Sequence, residues 1–376
     1  MKKSPHVAAA WLTIVAIVAG VLVVAIGTCL YLVSRNPKTT ALFADRVLRP
    51  TIGDRATITL EGVVFGIQDS INRATENNPN VADYTFGVNT APISSAAPTL
   101  HSVRPSNITP YADPVNPIAG EGVWKQISGT DFATTFIRTD PDRPYSVTNL
   151  VYIPLDTVGV GAVAGIKYPG GTLGHPGTGV VPADVQVSGK LLAVFNGGFQ
   201  EKDGHYGMYA GGTTYVPMQT GLATLFIYSD GHVDLQKYTG TMPAGVVSAR
   251  QNGPLLVVSG QDAPSTAKGV ELWAGTASGD YITWRSGLGL TSHGDLVYAV
   301  GNSLTPKALA DALRLAGSYN AMQLDINNYW VRFILFAWDG AAKSYTSAPL
   351  IKGLAGTGKT YLTGNEKDFF YLYKKH

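Results

Sequence analysis

The chain has 376 residues, of which only 14% are charged; it carries 43 glycines, one cysteine and a formal net charge of +2. One cysteine excludes an intrachain disulfide framework, and a near-neutral balance without a basic cluster leaves nucleic acid no electrostatic footprint. Abundant glycine suits a β-rich fold with tight turns, because glycine supplies the positive φ that many turns require.

After a short tail of residues 1–6, the run from Val7 to Val33 has no charge; its only polar side chains are Thr13, Thr28 and Cys29. At ~1.5 Å per residue such a helix crosses a hydrocarbon layer of ~30 Å with some tilt. Trp11 and Tyr31 stand towards its ends, where amphipathic rings favour the interface. Residues 7–33 are therefore expected to be a transmembrane signal-anchor. A cleaved signal peptide is the alternative, with Ala25-Ile26-Gly27 as its cleavage site. A lipoprotein is disfavoured, because Thr28 rather than a small Gly or Ala precedes Cys29. Lys2 and Lys3 flank the run on one side, Arg35 and Lys38 on the other, so charge leaves the orientation open. Long domains translocate regardless of nearby charge, and the expectation is a single-pass protein of the cell membrane with its domain outside the cytoplasm.

Residues 34–118 are expected to join anchor and domain. Up to about residue 75 apolar and charged positions mix, as in a juxtamembrane helix. Glu76 to Ala119 is rich in Asn, Pro, Ser and Thr and reads as a linker. Asn107-Ile108-Thr109 fits a glycosylation sequon.

From residue 119 to 376 short runs of β-propensity alternate with turn residues: Ser146–Ile153, Leu191–Phe195, Leu222–Tyr228, Val233–Tyr238, Leu255–Ser259 and Leu296–Val300. Ser229-Asp230-Gly231 predicts a hairpin turn. One helix stands out, with Thr305 as N-cap, Pro306 at its first position and Gly317 at its end. Ala308, Leu309, Ala312, Leu313 and Ala316 give it an apolar stripe for core packing. With Leu296–Val300 before it and Ala321–Leu324 after it, this is a strand–helix–strand unit. The fold class expected is α+β (mixed α/β): a β-rich domain with mixed sheets and few helices, preceded by one transmembrane helix.

Four motifs carry possible chemistry. Gly353 to Thr360 satisfies the P-loop pattern to the letter, but that motif needs a buried strand before it and a helix receiving phosphates after it. With Pro349 interrupting the approach and the chain ending soon after, Gly353–Thr360 reads as a chance match in a glycine-rich chain. Asn196-Gly197-Gly198-Phe199 ends a strand, where two glycines permit a sharp turn or close approach of a ligand; taken alone it is more simply an ordinary turn. Arg285, in Trp284-Arg285-Ser286-Gly287-Leu288-Gly289, could grip a phosphate bidentately or form a surface salt bridge. Leu324-Asp325 closes the strand after the helix, a position that suits a general acid, base or nucleophile, or else a turn-capping carboxylate. No His, Cys or Asp cluster has metal-ligand spacing, and no metal or other cofactor is expected.

Taken as an ordered set, these motifs resemble the phosphodiester glycosidase family, in its bacterial membrane-anchored form. The set runs from Asn196-Gly197-Gly198-Phe199 through Asn252-Gly253-Pro254, Arg285 with Gly287 and Gly289, and Thr305-Pro306, to Leu324-Asp325. Glu121-Gly122-Val123-Trp124, Arg143-Pro144-Tyr145 and Ala164-Gly165 look like its opening strands, so the resemblance spans roughly residues 119–363. It implies hydrolysis of the bond between a sugar's anomeric carbon and a phosphodiester oxygen, with a phosphoglycan or sugar-1-phosphodiester of the cell envelope as substrate. By position it implies catalytic roles for Asp325, Arg285 and Asn196: Asp325 as acid/base or oxocarbenium stabiliser, Arg285 on the phosphate, Asn196 orienting the substrate. Gly197, Gly198, His205, Asn327 and Asn328 are the candidate substrate-binding residues. Where the family continues with three glycines and a serine, this chain has Ile326-Asn327-Asn328-Tyr329. Either Asn327 and Asn328 serve a different substrate, or the chain is a catalytically silent glycan-binding or envelope-organising protein. The second carboxylate that a glycosidase conventionally uses is not evident.

Overall fold

The structure, a computed structural model, describes Phe43 and residues 47–75, 78–93, 105–170, 173–263, 282–354 and 356–375. The expected anchor at residues 7–33 lies outside these, and among the described residues no helix is long and apolar enough to cross a membrane. The chain divides into two compact units, Met1–Val64 and Phe65–His376.

Helix α1, Asp54–Thr75, fills the place read as a juxtamembrane helix and runs from the first unit into the second. Within the second unit its Asp69 is buried, with Arg143 Nε at 2.9 Å and Nη2 at 3.1 Å on its two oxygens. The Tyr145 hydroxyl donates to the same carboxylate. Glu121 and Arg138 form a second buried pair, Nη2 to Oε2 at 2.8 Å. Part of the stretch read as linker is tied down: Thr90–Pro92 (β1) pairs with a strand, and Ile108 is buried with its N–H on Gly122 O at 2.9 Å. Polar composition hid this because the segment needs only a few anchoring side chains when backbone groups do the pairing.

In chain order the next strands are Lys125–Ile127 (β2), Ala133–Ile137 (β3), Thr148–Ile153 (β4), Val158–Val163 (β5) and Leu191–Asn196 (β6). Met208–Ala210 (β7), Thr213–Val216 (β8), Ala223–Tyr228 (β9), Val233–Lys237 (β10) and Val246–Gln251 (β11) follow. Leu255–Val258 (β12), Gln261–Asp262 (β13), Thr283–Thr291 (β14) and Leu296–Leu304 (β15) lead to helix α2, Pro306–Leu315. The chain closes with Ser318–Ile326 (β16), Phe333–Asp339 (β17), Ser344–Pro349 (β18), the short helix α3, Lys359–Thr363, and Phe369–Lys374 (β19).

These strands build a nine-stranded sheet in the order β1-β2-β3-β4-β15-β14-β16-β12-β13. A five-stranded sheet runs β18-β17-β6-β19-β5, and another β10-β9-β11-β7-β8. Every strand pair among the described residues is antiparallel. The strand–helix–strand unit is present in split form: β15 and β16 run the same way with β14 between them. Thr305 Oγ1 caps α2 by accepting the Ala308 N–H at 3.0 Å, and Gly317 leaves it at φ +90°. The apolar stripe of α2 packs on one face of the nine-stranded sheet, with Leu309, Ala312 and Leu313 against Val297, Ala299 and Ala321. The other face of that sheet meets the β6 sheet, where Phe195, Phe333 and Phe370 join Leu288, Tyr298, Met322 and Leu324. The Ser229–Gly231 hairpin forms as expected, joining β9 to β10. The P-loop-like stretch follows the outermost strand β18, and the helix after it has five residues, so the context of a phosphate cradle is missing there.

Candidate active site

The site lies where the C-terminal ends of β6 and β16 meet the start of β19. Strand β16 holds the key irregularity. Gly287 pairs with Gln323, whereas Arg285 pairs with Ile326, so β16 carries one residue more than β14 over the same span. Such a bulge re-aims side chains. Without it Asp325 would follow Gln323 and Ala321 onto the helix-covered face. With it, Asp325 turns towards the other sheet and receives Lys367 Nζ on Oδ2. Ser286 Oγ closes the gap that the extra residue leaves in the ladder, accepting the Asp325 N–H at 3.2 Å and donating to its carbonyl at 3.1 Å.

Ser286 also ties Asp325 to Asn196. Asn196 Nδ2 donates to Ser286 Oγ at 2.9 Å and to Gly197 O at 2.9 Å. Its Oδ1 accepts from Tyr298 OH and from the Arg332 backbone N–H, both at 3.0 Å. Asn196 is thus fully used, 3% exposed, and fixes the relation between β6, β14 and the entry to β17.

Asp325 is 2% exposed. Burial pushes its carboxyl up to about 6; the Lys367 ammonium and the Ile326 N–H (2.8 Å to Oδ1) oppose this, and the charge of Asp368 adds to it. Lys367 in turn lies 4.8 Å from the centre of the Trp330 ring, whose edge contacts involve Tyr168 at 5.7 Å and Tyr329 at 4.5 Å. An aromatic cover therefore stands over the ion pair.

Asp368, next to Lys367, is a second buried carboxylate at 1% exposure. Its Oδ2 accepts Arg250 Nε at 2.8 Å and the Gly198 N–H at 3.2 Å, and its carbonyl accepts the Gly197 N–H at 3.0 Å. Among the described residues its Oδ1 has no hydrogen-bond partner. A Cβ on Gly197 would stand 1.8 Å from Asp368 Oδ2, so the turn must be glycine for the carboxylate to come this close. Arg250 spends its remaining donors on carbonyls of Phe199 (2.6 Å), Gln251 (2.8 Å) and Tyr206 (3.2 Å).

The structure thus brings Asn196, Gly197, Gly198 and Asp325 together. Arg285 is placed differently. It shares a strand face with Gly287, on the helix side, is fully buried, and donates from Nε to Leu304 O and from Nη1 to Gln323 Oε1, both at 2.8 Å. It is the neighbouring Ser286 that reaches the site. His205 is exposed at a φ of +53°, with Nδ1 on Glu201, in the loop that leaves Phe199. Asn327 adopts a φ of +77° and its Oδ1 accepts the Tyr329 N–H at 2.9 Å, so it shapes the turn after Asp325. Asn328 donates no side-chain bond in that turn; its carbonyl accepts Arg332 Nη1 at 2.7 Å. Sequence reasoning missed Lys367, Asp368, Arg250 and Arg332. Among the described residues no group of three or more His, Cys, Asp or Glu is placed to hold a metal.

Residues 189–325 match the family described as phosphodiester glycosidase, a span that opens just before β6 and stops at Asp325. No curated protein matches the chain. Among solved structures it is similar to the catalytic domain of zebrafish N-acetylglucosamine-1-phosphodiester alpha-N-acetylglucosaminidase, auto-inhibited by its pro-peptide. Identity there is 16%, the TM-score 0.40, and the match covers 73% of this chain and 97% of that one. It is also similar to a hypothetical protein from Synechocystis, at 9% identity and a TM-score of 0.35, covering 70% of this chain and 65% of that one.

Proposed function

We propose that the chain is a hydrolase of the glycosidase type, cleaving the bond between a sugar's anomeric carbon and a phosphodiester oxygen. The observation that carries this reading is Asp325, a buried carboxyl raised to about 6 and aimed by a strand bulge at the junction of two sheets. A carboxyl titrating there is poised to exchange a proton near neutral pH, which an ordinary surface Asp is not. The family match over residues 189–325 supports the same reaction class.

In this reading Asp325 protonates the departing phosphate oxygen as the bond to the anomeric carbon breaks. Asp368 is the second carboxyl group, with Oδ1 available to take the proton of the attacking water. Asn196 and Ser286 hold the Asp325 backbone in register, and Lys367 keeps a cation against its carboxyl. The substrates are phosphodiester-linked sugars of the cell envelope or extracellular glycans, reached by a domain held outside the cytoplasm through residues 7–33. Protease treatment of intact cells tests that location: a domain that stays protected overturns it.

The second reading, a glycan-binding chain without turnover, draws on Ile326–Tyr329 and on the Trp330 cover above Lys367. Assay of the purified full chain in detergent on an N-acetylglucosamine-1-phosphodiester separates the two. Hydrolysis that Asp325→Asn abolishes supports the enzyme; saturable binding with no product supports the silent form.

A further inference from the structure

Arg332 is half-buried at the start of β17, directly beside Asn196, whose backbone N–H bonds to its carbonyl at 3.2 Å. Its Nη1 donates to the carbonyls of Asn328 and Val331, each at 2.7 Å. Among the described residues its Nε and Nη2 donate to nothing and no carboxylate pairs with it. Burial accordingly holds its guanidinium below the ordinary arginine range, the direction expected of a cation whose charge is not neutralised. The Tyr329 ring lies 5.6 Å from its Cζ. On another side is Gly356, where a Cβ would come within 2.7 Å of Nε, so any side chain there would crowd the guanidinium. The same Asn328 whose carbonyl Arg332 grips carries an orphan of the opposite kind: its buried Oδ1 accepts nothing among the described residues.

A desolvated, unpaired guanidinium and a desolvated, unpaired acceptor each cost free energy, and groups left so in a native structure call for a ligand or a water. The pair differs in sign: one wants an anion, the other a hydroxyl. We propose that Arg332 and Asn328 form a sugar-phosphate subsite beside Asp325, Arg332 taking phosphate oxygens through Nε and Nη2 and Asn328 Oδ1 accepting a sugar hydroxyl. The fork of an arginine suits two oxygens of one phosphate. This gives the phosphate role to Arg332 rather than to Arg285, whose guanidinium is engaged within the sheet. The identity of the ligand rests on the glycosidase reading; the existence of an anion site does not.

The experiment is therefore one of binding, not turnover. The full chain in detergent is titrated with inorganic phosphate and with α-D-glucose 1-phosphate, followed by tryptophan fluorescence through Trp330. Arg332→Gln should weaken both ligands by about tenfold or more, as expected for a lost charge-assisted hydrogen bond. Asn328→Ala should weaken glucose 1-phosphate by about fivefold and leave inorganic phosphate unchanged, the size of one neutral hydrogen bond. Should Arg332→Gln fail to fold, Arg332→Lys keeps the charge but not the fork and must still lose affinity for phosphate. Unchanged binding in the arginine variant that folds, or no saturable binding of either probe to the unmutated chain, overturns the subsite. A chain that binds through Arg332 yet hydrolyses nothing leaves the subsite standing and removes only the hydrolase.

Discussion

Two buried aspartates, each beside a cation, titrate in opposite directions. Asp69 on α1 is held below the usual carboxylate range although burial acts against it: Arg143 meets it with two nitrogens, Tyr145 donates to it, and Arg73 adds charge from one helical turn away. Asp325 has one ammonium and one backbone N–H, sits deeper, and feels a like charge from Asp368; its carboxyl rises to about 6. A planar fork plus a hydroxyl compensates desolvation, whereas a single point charge does not. The first arrangement fastens one end of a helix to the sheet. The second leaves a proton that can move.

Removal of the cations separates the two aspartates most. Arg143→Ala strands a buried carboxylate with no alternative partner of equal strength, and urea denaturation should show a loss of about 3–5 kcal/mol. Lys367→Met should cost far less near pH 5, because Asp325 can take up a proton instead. Equal losses in the two variants would mean that both pairs are structural.

Stability against pH sharpens the same contrast. A carboxyl raised in the folded state holds a proton that the unfolded chain has already released, so folding loses stability as pH climbs from the ordinary aspartate value of 3.8 to about 6. Asp325→Asn should flatten that stretch of the profile, an effect on the order of 1–3 kcal/mol. Asp69 works the other way. Its contribution is complete above the ordinary carboxylate range and is lost as pH falls through its lowered value, so Asp69→Asn should lower stability at neutral pH and flatten the profile on its acid side.

A smaller effect concerns activity. Lys367 lowers the Asp325 carboxyl against burial, so Lys367→Met should move the basic limb of kcat against pH to higher pH. A limb that stays in place assigns it to another group. Smallest is Tyr145→Phe, which removes one of the hydroxyl and guanidinium donors on Asp69 and should cost about 1 kcal/mol in thermal or urea unfolding.

Much of the frame is legible in the sequence because its signals are local. The capping Thr305, Pro306 and Gly317 bracket α2 within a few residues, and the run before Asn196 is a strand on propensity alone. Asp325 stands out by its place at a strand end. Its partner does not. Lys367 is 42 residues away, in Asn365-Glu366-Lys367-Asp368, which reads as any charged surface turn. Arg250 lies in a strand where a single charge looks like the solvated edge of a sheet, yet it is 1% exposed. The face assigned to Arg285 depends on strand register, and register is set by tertiary pairing that a period of two cannot reveal. A bulge is the extreme case, since it leaves composition and propensity unaltered.

That bulge makes the placement of Asp325 a matter of counting. One surplus residue between Gln323 and Ile326 decides which side of the nine-stranded sheet the carboxylate serves. Deleting a single residue there would return β16 to even pairing with β14 and send the acid towards α2, away from Lys367. Insertion and deletion, rather than substitution, are then the changes by which a sheet of this kind gains or loses its reactive group while keeping its core.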